Sequence, residues 1–159
     1  MVFSSAAFLL CFLPLLLLCY YLVPKRCLLG RNTVLLLFSL VFYAFGGLRY
    51  FWLLCICILT DYLAGIAISK CETAKLRKLI LILSIAVSMG LLGYYKYAGF
   101  TASIAVSLGI SIHIPEIVLP IGISFFTFQG LSYVVDVYRS DVPVQKNPLN
   151  VALYIALFP

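Results

Sequence analysis

Long apolar runs separated by short polar loops dominate the chain. The stretches 2–23, 33–48 and 50–60 contain no charged residue. A helix that crosses the hydrocarbon core of a bilayer, roughly 30 Å thick, needs about 20 apolar residues. The pattern therefore predicts several transmembrane helices. The first run is interpreted as a retained span, because it has neither the basic start nor the cleavage site of a secretory signal.

Five spans and the start of a sixth follow from this pattern. The last apolar run, 151–159, would cover only about 14 Å as a helix, so the chain is expected to stop within an element. The predicted fold is all-α: a polytopic helical membrane protein in which residues 1–159 form part of a single transmembrane domain. The five spans are predicted at Phe3–Val23, Thr33–Phe45 (or as far as Leu48), Tyr50–Ser69, Leu79–Tyr95 and Pro120–Val135.

One segment departs from the helical pattern. Ser and Thr recur within 98–117, and apolar residues alternate with other residues over 108–114, just before Pro115. Alternation with a period of two is typical of a strand. We therefore predict an interfacial or re-entrant segment, which at membrane depth requires cover from protein or from a water-filled cavity.

Composition supports the membrane interpretation, because 65% of the residues are apolar and 10% are charged, against roughly 25% charged in a soluble domain. A net charge of +6 would favour nucleic acid as the partner of a soluble protein. Here the basic residues lie in short loops beside apolar runs, where they orient helices. The predicted partner is the lipid bilayer, and no nucleic acid is expected.

Loop charges predict the topology. The loops 24–32 and 70–78 hold three and four basic residues, whereas the loop between them holds only Arg49. The positive-inside rule places both basic loops in the cytoplasm and the N-terminus outside. The segment 96–118 then faces outward, and Arg139 and Lys146 return to the cytoplasmic side.

Metal, disulfide and cofactor chemistry find no support in the sequence. Four of the six cysteines, Cys11, Cys19, Cys55 and Cys57, lie inside apolar runs without metal-ligand spacing. Free cysteine packs as a small hydrophobic residue. No zinc site, structural disulfide or bound cofactor is predicted, and no nucleotide loop or nucleophile-elbow motif is present.

Asp61 is the first candidate for a functional residue. Placing a carboxylate inside a membrane span raises the free energy of the protein by at least a few kcal/mol unless the group is paired or hydrated. Helical spacing places it in a stripe of small and polar side chains that favours close helix contact. Two interpretations stay open: a group lining a polar cavity, or a carboxyl hydrogen-bonded to a neighbouring helix. The stripe consists of Cys57, Asp61, Gly65 and Ser69.

The fifth span carries a polar face at positions i, i+3, i+4 and i+7. A face of this kind is not expected to contact lipid, so we predict that it points into the protein, where it lines a cavity or only forms interhelical hydrogen bonds. Phe126, Leu131 and Val134 are assigned to the other faces. The polar face consists of Gln129, Ser132, Tyr133 and Asp136.

His113 is the sole histidine, and general acid or base work is the commonest catalytic role of this residue type. It lies between two isoleucines in the outward segment, with Glu116 as its only acidic neighbour. We interpret it as a solvated loop residue and predict no catalytic role for it.

Five sequence segments, taken in order, resemble bacterial membrane-bound O-acyltransferases, and most of all the branch that acetylates alginate. The segment at 119–141 is the most specific of them. They are MVFSS with FLP at 12–14, VFYAFGG at 41–47, TDYLAGIAI at 60–68, LGYYKYAGF at 92–100 and LPIGISFFTFQGLSYVVDVYRSD at 119–141.

The resemblance implies a multi-helix enzyme of the bacterial inner membrane. Such an enzyme takes an acyl group, here acetyl from a donor such as acetyl-CoA, and passes it to an extracytoplasmic polysaccharide or to a partner acyltransferase. The family's catalytic histidine lies in a later segment, so the chain corresponds to the N-terminal part and is expected to be inactive alone. Two other interpretations stay open: a transporter subunit that uses Asp61 and Asp136, and a non-catalytic membrane scaffold.

Overall fold

The computed structural model describes residues 8–45, 48–107 and 122–157. Every regular element in these ranges is helical, which confirms the predicted all-α class. A π-helical turn (Phe8–Phe12) leads into α1, and five further helices follow. They are α1 (Leu13–Leu22), α2 (Leu28–Phe45), α3 (Leu48–Lys70), α4 (Ala74–Ser107), α5 (Ile123–Arg139) and α6 (Pro148–Ala156).

Three of the described helices are long and apolar enough to cross a bilayer, judged by length and composition. The qualifying segments are Leu28–Phe45, Phe51–Lys70 and Ala74–Tyr97, with 18, 20 and 24 residues. The helix at Leu10–Leu22 is apolar but shorter, and α5 has 17 residues. A helical membrane protein is thereby confirmed, whereas the number of five spans stays a prediction.

Several predicted boundaries were wrong. Helix α2 begins at Leu28 rather than Thr33, so Arg31 lies in a helix. The second basic loop is reduced to residues 71–73, because the backbone N–H groups of Leu76 and Arg77 both donate to the Thr73 carbonyl at 3.1 Å. These bonds start α4 at Ala74. Basic side chains predicted for a loop therefore lie in the first turns of α4.

Helix α4 also continues beyond its predicted end at Tyr95, through to Ser107. Residues 98–107 are therefore helical, and the predicted departure from a helix at this point is wrong for them. The serine and threonine side chains that suggested a break are tolerated in helices, where their hydroxyls can bond to carbonyls of the preceding turn. The alternating stretch 108–114 lies outside the described residues.

The described residues group into two compact units. The first contains α1, α2, α6 and the part of α3 up to Ile58. In this unit α2 packs against α1 and α6, and Asn32 Nδ2 donates to Asn150 Oδ1 at 3.4 Å. Pro148 occupies the first turn of α6, and the Asn147 carboxamide caps that helix by accepting from the Leu149 N–H at 3.0 Å.

The second unit spans Leu59–Val144 and contains the rest of α3, α4 and α5. Gly122 precedes α5 as its N-cap at φ 79°, a left-handed conformation that glycine adopts without strain. Ser140 follows α5 as its C-cap at φ 65°. The Ser140 N–H donates to the Val137 carbonyl, and the Asp141 N–H donates to the Asp136 carbonyl. These bonds satisfy the last carbonyls of the helix. Among the candidate polar residues that the structure describes, all except Cys57 belong to this unit.

Candidate functional site

The buried face of α5 is mainly apolar, and it includes Tyr133 from the predicted polar face. Val134 is 0% exposed and Phe126 is 1% exposed, so apolar residues outside the predicted polar face are buried in this unit. Helix α5 packs against α4, and close packing inside a membrane protein favours side chains that fill space. The buried residues are Ile123, Phe126, Thr127, Gly130, Leu131, Tyr133, Val134 and Val137.

The four polar residues predicted to face inward are separated by the structure. Tyr133 is buried, Gln129 and Asp136 are half-buried, and Ser132 is exposed. The Ser132 hydroxyl donates to the Gln129 carbonyl of its own helix at 2.8 Å. Ser132 is therefore exposed within the described unit. Whether the predicted polar face packs inward or lines a cavity in a longer protein stays a prediction.

Asp61 is 1% exposed. The Ser84 hydroxyl of α4 donates to its Oδ1 at 3.4 Å, so the carboxyl is joined to a neighbouring helix. Its second oxygen, Oδ2, is buried and has no hydrogen-bond partner. Ser84 was missed from the sequence, although it forms a short polar pair with Ser88, four residues later on an apolar helix, and both are buried.

The small-residue stripe on α3 is only partly buried. Cys57, Asp61 and Gly65 are buried, but Ser69 is exposed and its hydroxyl donates to the Ile66 carbonyl of the same helix at 2.9 Å. The close helix contact predicted from the stripe occurs at Gly65. A Cβ atom placed on Gly65 would lie 2.9 Å from Cε1 and 3.0 Å from the hydroxyl oxygen of Tyr133. The tyrosine of α5 therefore packs onto the bare backbone of α3.

Two more buried oxygens of α5 resemble the second Asp61 oxygen. Thr127 Oγ1 and Gln129 Oε1 are buried without a hydrogen-bond partner. Thr127 is 1% exposed and was not singled out from the sequence. In the sequence, Thr127 differs from its neighbours only as a hydroxyl residue among the aromatic residues of the segment FFTFQ. Unsatisfied buried polar atoms are rare in native proteins and require an explanation.

Arg77 joins the start of α4 to the end of α5. Its Nη2 donates to the Tyr138 carbonyl at 2.8 Å and to the Ser140 hydroxyl at 3.4 Å. The guanidinium also lies over the Tyr138 ring, 5.6 Å from the centroid. A positive charge near the carbonyl end of a helix is stabilising, so Arg77 is a structural contact between two helices.

A groove of about 290 Å³ lies between α3 and α4. Most side chains that line the groove are apolar, and one polar lining residue, Ser84, also bonds to Asp61. A molecule in the groove would therefore make van der Waals contacts and would meet no acid or base side chain among the lining residues. Its lining consists of Thr60, Leu63, Ala64, Ala67, Ile80, Leu83, Ser84 and Val87.

Metal-ligand geometry is not found in the part of the chain that the structure describes. No three His, Cys, Asp or Glu side chains lie together there in a way that could hold a metal ion. All six cysteines are free thiols. His113 and Glu116 lie outside the described residues.

No family model matches the chain, and no solved structure does. The full chain is 39% identical to the probable alginate O-acetylase AlgI of Azotobacter vinelandii and 39% identical to that of Pseudomonas aeruginosa, and it covers 32% and 31% of them. It is 29% identical to the peptidoglycan O-acetyltransferase of Helicobacter pylori, of which it covers 35%.

The chain thus spans about a third of the length of the curated relatives that it matches. The similarity extends over the full length of the chain. The resemblance inferred from sequence segments is confirmed to this extent: the chain is similar along its whole length to proteins named alginate O-acetylase and peptidoglycan O-acetyltransferase.

Proposed function

We propose that this chain is part of a membrane O-acyltransferase. The complete enzyme takes acetyl from a cytoplasmic donor, acetyl-CoA, and passes it to a polysaccharide outside the membrane, directly or through a partner acyltransferase. The observation that carries the proposal is the 39% identity, over the whole chain, to alginate O-acetylases. The names of the relatives favour this enzyme over a transporter subunit or a scaffold.

Within that enzyme, the proposed role of the chain is to supply supporting helices and part of the wall of the transfer path. Its own polar groups suit support more than chemistry, because Ser84 holds Asp61 and Arg77 holds the end of α5. General acid–base catalysis needs a base within hydrogen-bond reach of the reacting group. We propose that this base lies outside the 159 residues.

A chimera tests the proposal. The matching third of an alginate O-acetylase is replaced by this chain in a host that lacks that enzyme, and the O-acetyl content of its polysaccharide is measured. The chimera should restore acetylation to at least about a tenth of the native level, a loss of no more than roughly 1.4 kcal/mol in transition-state stabilisation. The 159-residue chain alone should restore none.

His113→Ala in the same chimera is the control for the histidine, and acetylation should be unchanged. Acetyl transfer by the isolated chain that is lost in His113→Ala would contradict both the proposed supporting role and the prediction that His113 is not catalytic. A chimera that reaches the membrane at native yield without any acetylation would contradict the functional proposal.

The proposed orientation places the protein in the inner membrane with its N-terminus outside. Lys25 is exposed in the connection before α2, and Lys70, Lys75 and Lys78 are exposed around the 71–73 loop. Lysines beside membrane spans favour the cytoplasmic side. The orientation therefore depends on which membrane face carries these two clusters.

Cysteine labelling tests this orientation in a variant without the six natural cysteines. Single cysteines at Lys25 and Glu72 should react with a membrane-impermeant maleimide only from the cytoplasmic side, and one placed between 103 and 113 only from outside. The contrast should be nearly complete, because charged reagents do not cross the bilayer. Reaction of the residue-72 cysteine in intact cells would refute the topology.

A further inference from the structure

The groove between α3 and α4 lies next to the loop that joins these two helices. Its lining runs from Thr60 to Ala67 on α3 and from Ile80 to Val87 on α4. Lys70 is the last residue of α3, directly before the loop. At 1.5 Å per residue, the groove therefore begins about 5 Å along the axis of α3 from Lys70 and ends about 15 Å from it.

That depth corresponds to one leaflet of a bilayer. The hydrocarbon core is roughly 30 Å thick, so each leaflet contributes about 15 Å. The two candidate membrane spans that form the groove, Phe51–Lys70 and Ala74–Tyr97, both have an end at the loop. The groove thus lies within the leaflet on the loop side, at the depth that lipid acyl chains occupy.

The walls of the groove suit an acyl chain. Leu63 and Leu83 line it and are 54% and 62% exposed, so the groove is open toward the hydrocarbon region. Ala64 and Ala67 have small side chains that leave space between the two helices. The resulting volume of about 290 Å³ allows van der Waals contact along a flexible hydrocarbon chain.

The loop end of the groove carries an excess of positive charge. Residues 70–78 contain four basic residues and one acidic residue, a net charge of +3. Lys70, Lys75 and Lys78 are exposed, as is Glu72. Lys70 lies three residues after Ala67, so it follows the α3 lining of the groove by about one helical turn.

Charges at the adjoining end of α5 do not cancel this excess. Arg77 bonds to the Tyr138 carbonyl, which brings the end of α5 to the start of α4. Arg139 and Asp141 form an ion pair with each other at 3.1 Å. With Asp136 counted as well, the loop end of the unit keeps more basic than acidic side chains.

An apolar groove below a basic surface fits one class of molecule, an anionic phospholipid. Basic residues beside a membrane span attract anionic headgroups, and the acyl chain of the same lipid extends into the leaflet. An apolar helix would fill the groove but would bring no negative charge to the lysines. A soluble phosphate ester would bring the charge but leave the groove empty.

We propose that α3 and α4 bind an anionic phospholipid in the leaflet on the loop side, with an acyl chain in the groove and the phosphate beside Lys70 and Lys75. Both lysine side chains are long and flexible enough to reach a headgroup at the membrane surface. The proposal depends neither on acyl transfer nor on which side of the membrane the loop faces.

Native mass spectrometry tests the headgroup preference. The protein is released from nanodiscs that contain equal amounts of phosphatidylglycerol and phosphatidylethanolamine with identical acyl chains. It should retain phosphatidylglycerol in preference, and Lys70→Gln/Lys75→Gln should lower that retention at least about fivefold, since a single basic residue near the membrane surface contributes roughly that factor. The control Lys25→Gln/Arg26→Gln removes the same charge from the exposed connection before α2, outside the proposed site, and should change retention less than about twofold.

Ala67→Leu tests whether the acyl chain occupies the groove. The larger side chain fills part of the groove, so phosphatidylglycerol retention should fall about threefold or more as van der Waals contacts are lost. Ala86→Leu is the matched control, because Ala86 is exposed on α4 and does not line the groove. Equal retention by the two variants would show that charge alone holds the lipid, and the groove assignment would be wrong.

Three further results would overturn the proposal. The first is equal retention of phosphatidylglycerol and phosphatidylethanolamine by the unchanged protein. The second is displacement of the lipid by glycerol phosphate, which would identify a site for a soluble phosphate. The third is a helix of the protein or of a second copy in the groove, seen in a map of the protein in nanodiscs that contain phosphatidylglycerol.

Discussion

Phe126→Ala should lower the free energy of unfolding by about 3 kcal/mol, near the lower end of the range for Phe→Ala in protein cores. Phe126 is 1% exposed and lies on the buried face of α5. Part of the usual cost is the return of apolar surface to water, and lipid removes that part. The lost van der Waals contacts and the cavity remain, because neighbouring side chains collapse only partly. SDS titration in mixed micelles measures the change.

Phe128→Ala is the matched control on the same helix. Phe128 is 57% exposed in the chain, so its removal leaves no cavity in the described unit. A change below about 1 kcal/mol is expected. Equal losses in the two variants would show that the buried face of α5 is not the one seen in this structure.

Gly65→Ala should lower the free energy of unfolding by about 1–3 kcal/mol, as overpacking does in tightly packed interiors. The added Cβ would lie 2.9 Å from Cε1 of Tyr133. Tyr133 is itself buried, so its ring cannot move away without disturbing other contacts. The expected result is a destabilised contact between α3 and α5, measured by the same unfolding assay.

Gly90→Ala makes the same chemical change where no atom lies within 4 Å of the new Cβ. Alanine is a better helix former than glycine by about 1 kcal/mol, so Gly90→Ala should be neutral or stabilising. The double variant Gly65→Ala/Tyr133→Leu should lose less free energy of unfolding than the two single variants lose together, because both single variants disturb the same contact. If Gly65→Ala behaves like Gly90→Ala, the packing of Tyr133 onto Gly65 is wrong.

Some of the candidate site was visible in the sequence. Asp61 stood out because a carboxylate in an apolar run is costly, and Gly65 because small residues at helical spacing favour close contact. The partner of Asp61 was not visible. Ser84 lies 23 residues away on another helix, and serines are common in apolar helices without such a contact. Pairing between helices depends on the tertiary arrangement.

The length of α4 also escaped prediction. Local composition suggested a loop at 70–78 and an irregular segment after Tyr95, yet α4 runs from Ala74 to Ser107. Charges and hydroxyls mark where a helix leaves the bilayer, but they do not stop it. Backbone hydrogen bonds continue until a residue or a cap interrupts them. Element type was therefore easier to predict than element ends.

The sequence by itself determined the helical class, the apolar segments able to span a bilayer, the buried carboxyl and the relationship to O-acetyltransferases. These follow from composition, from the period of each segment and from similarity, all of which are local properties. Only the tertiary structure decided which face of α5 is buried. A helix with one polar and one apolar face has the same period whichever face points inward. In a membrane both faces have possible partners, so packing against α4 placed Val134 inside and Ser132 outside.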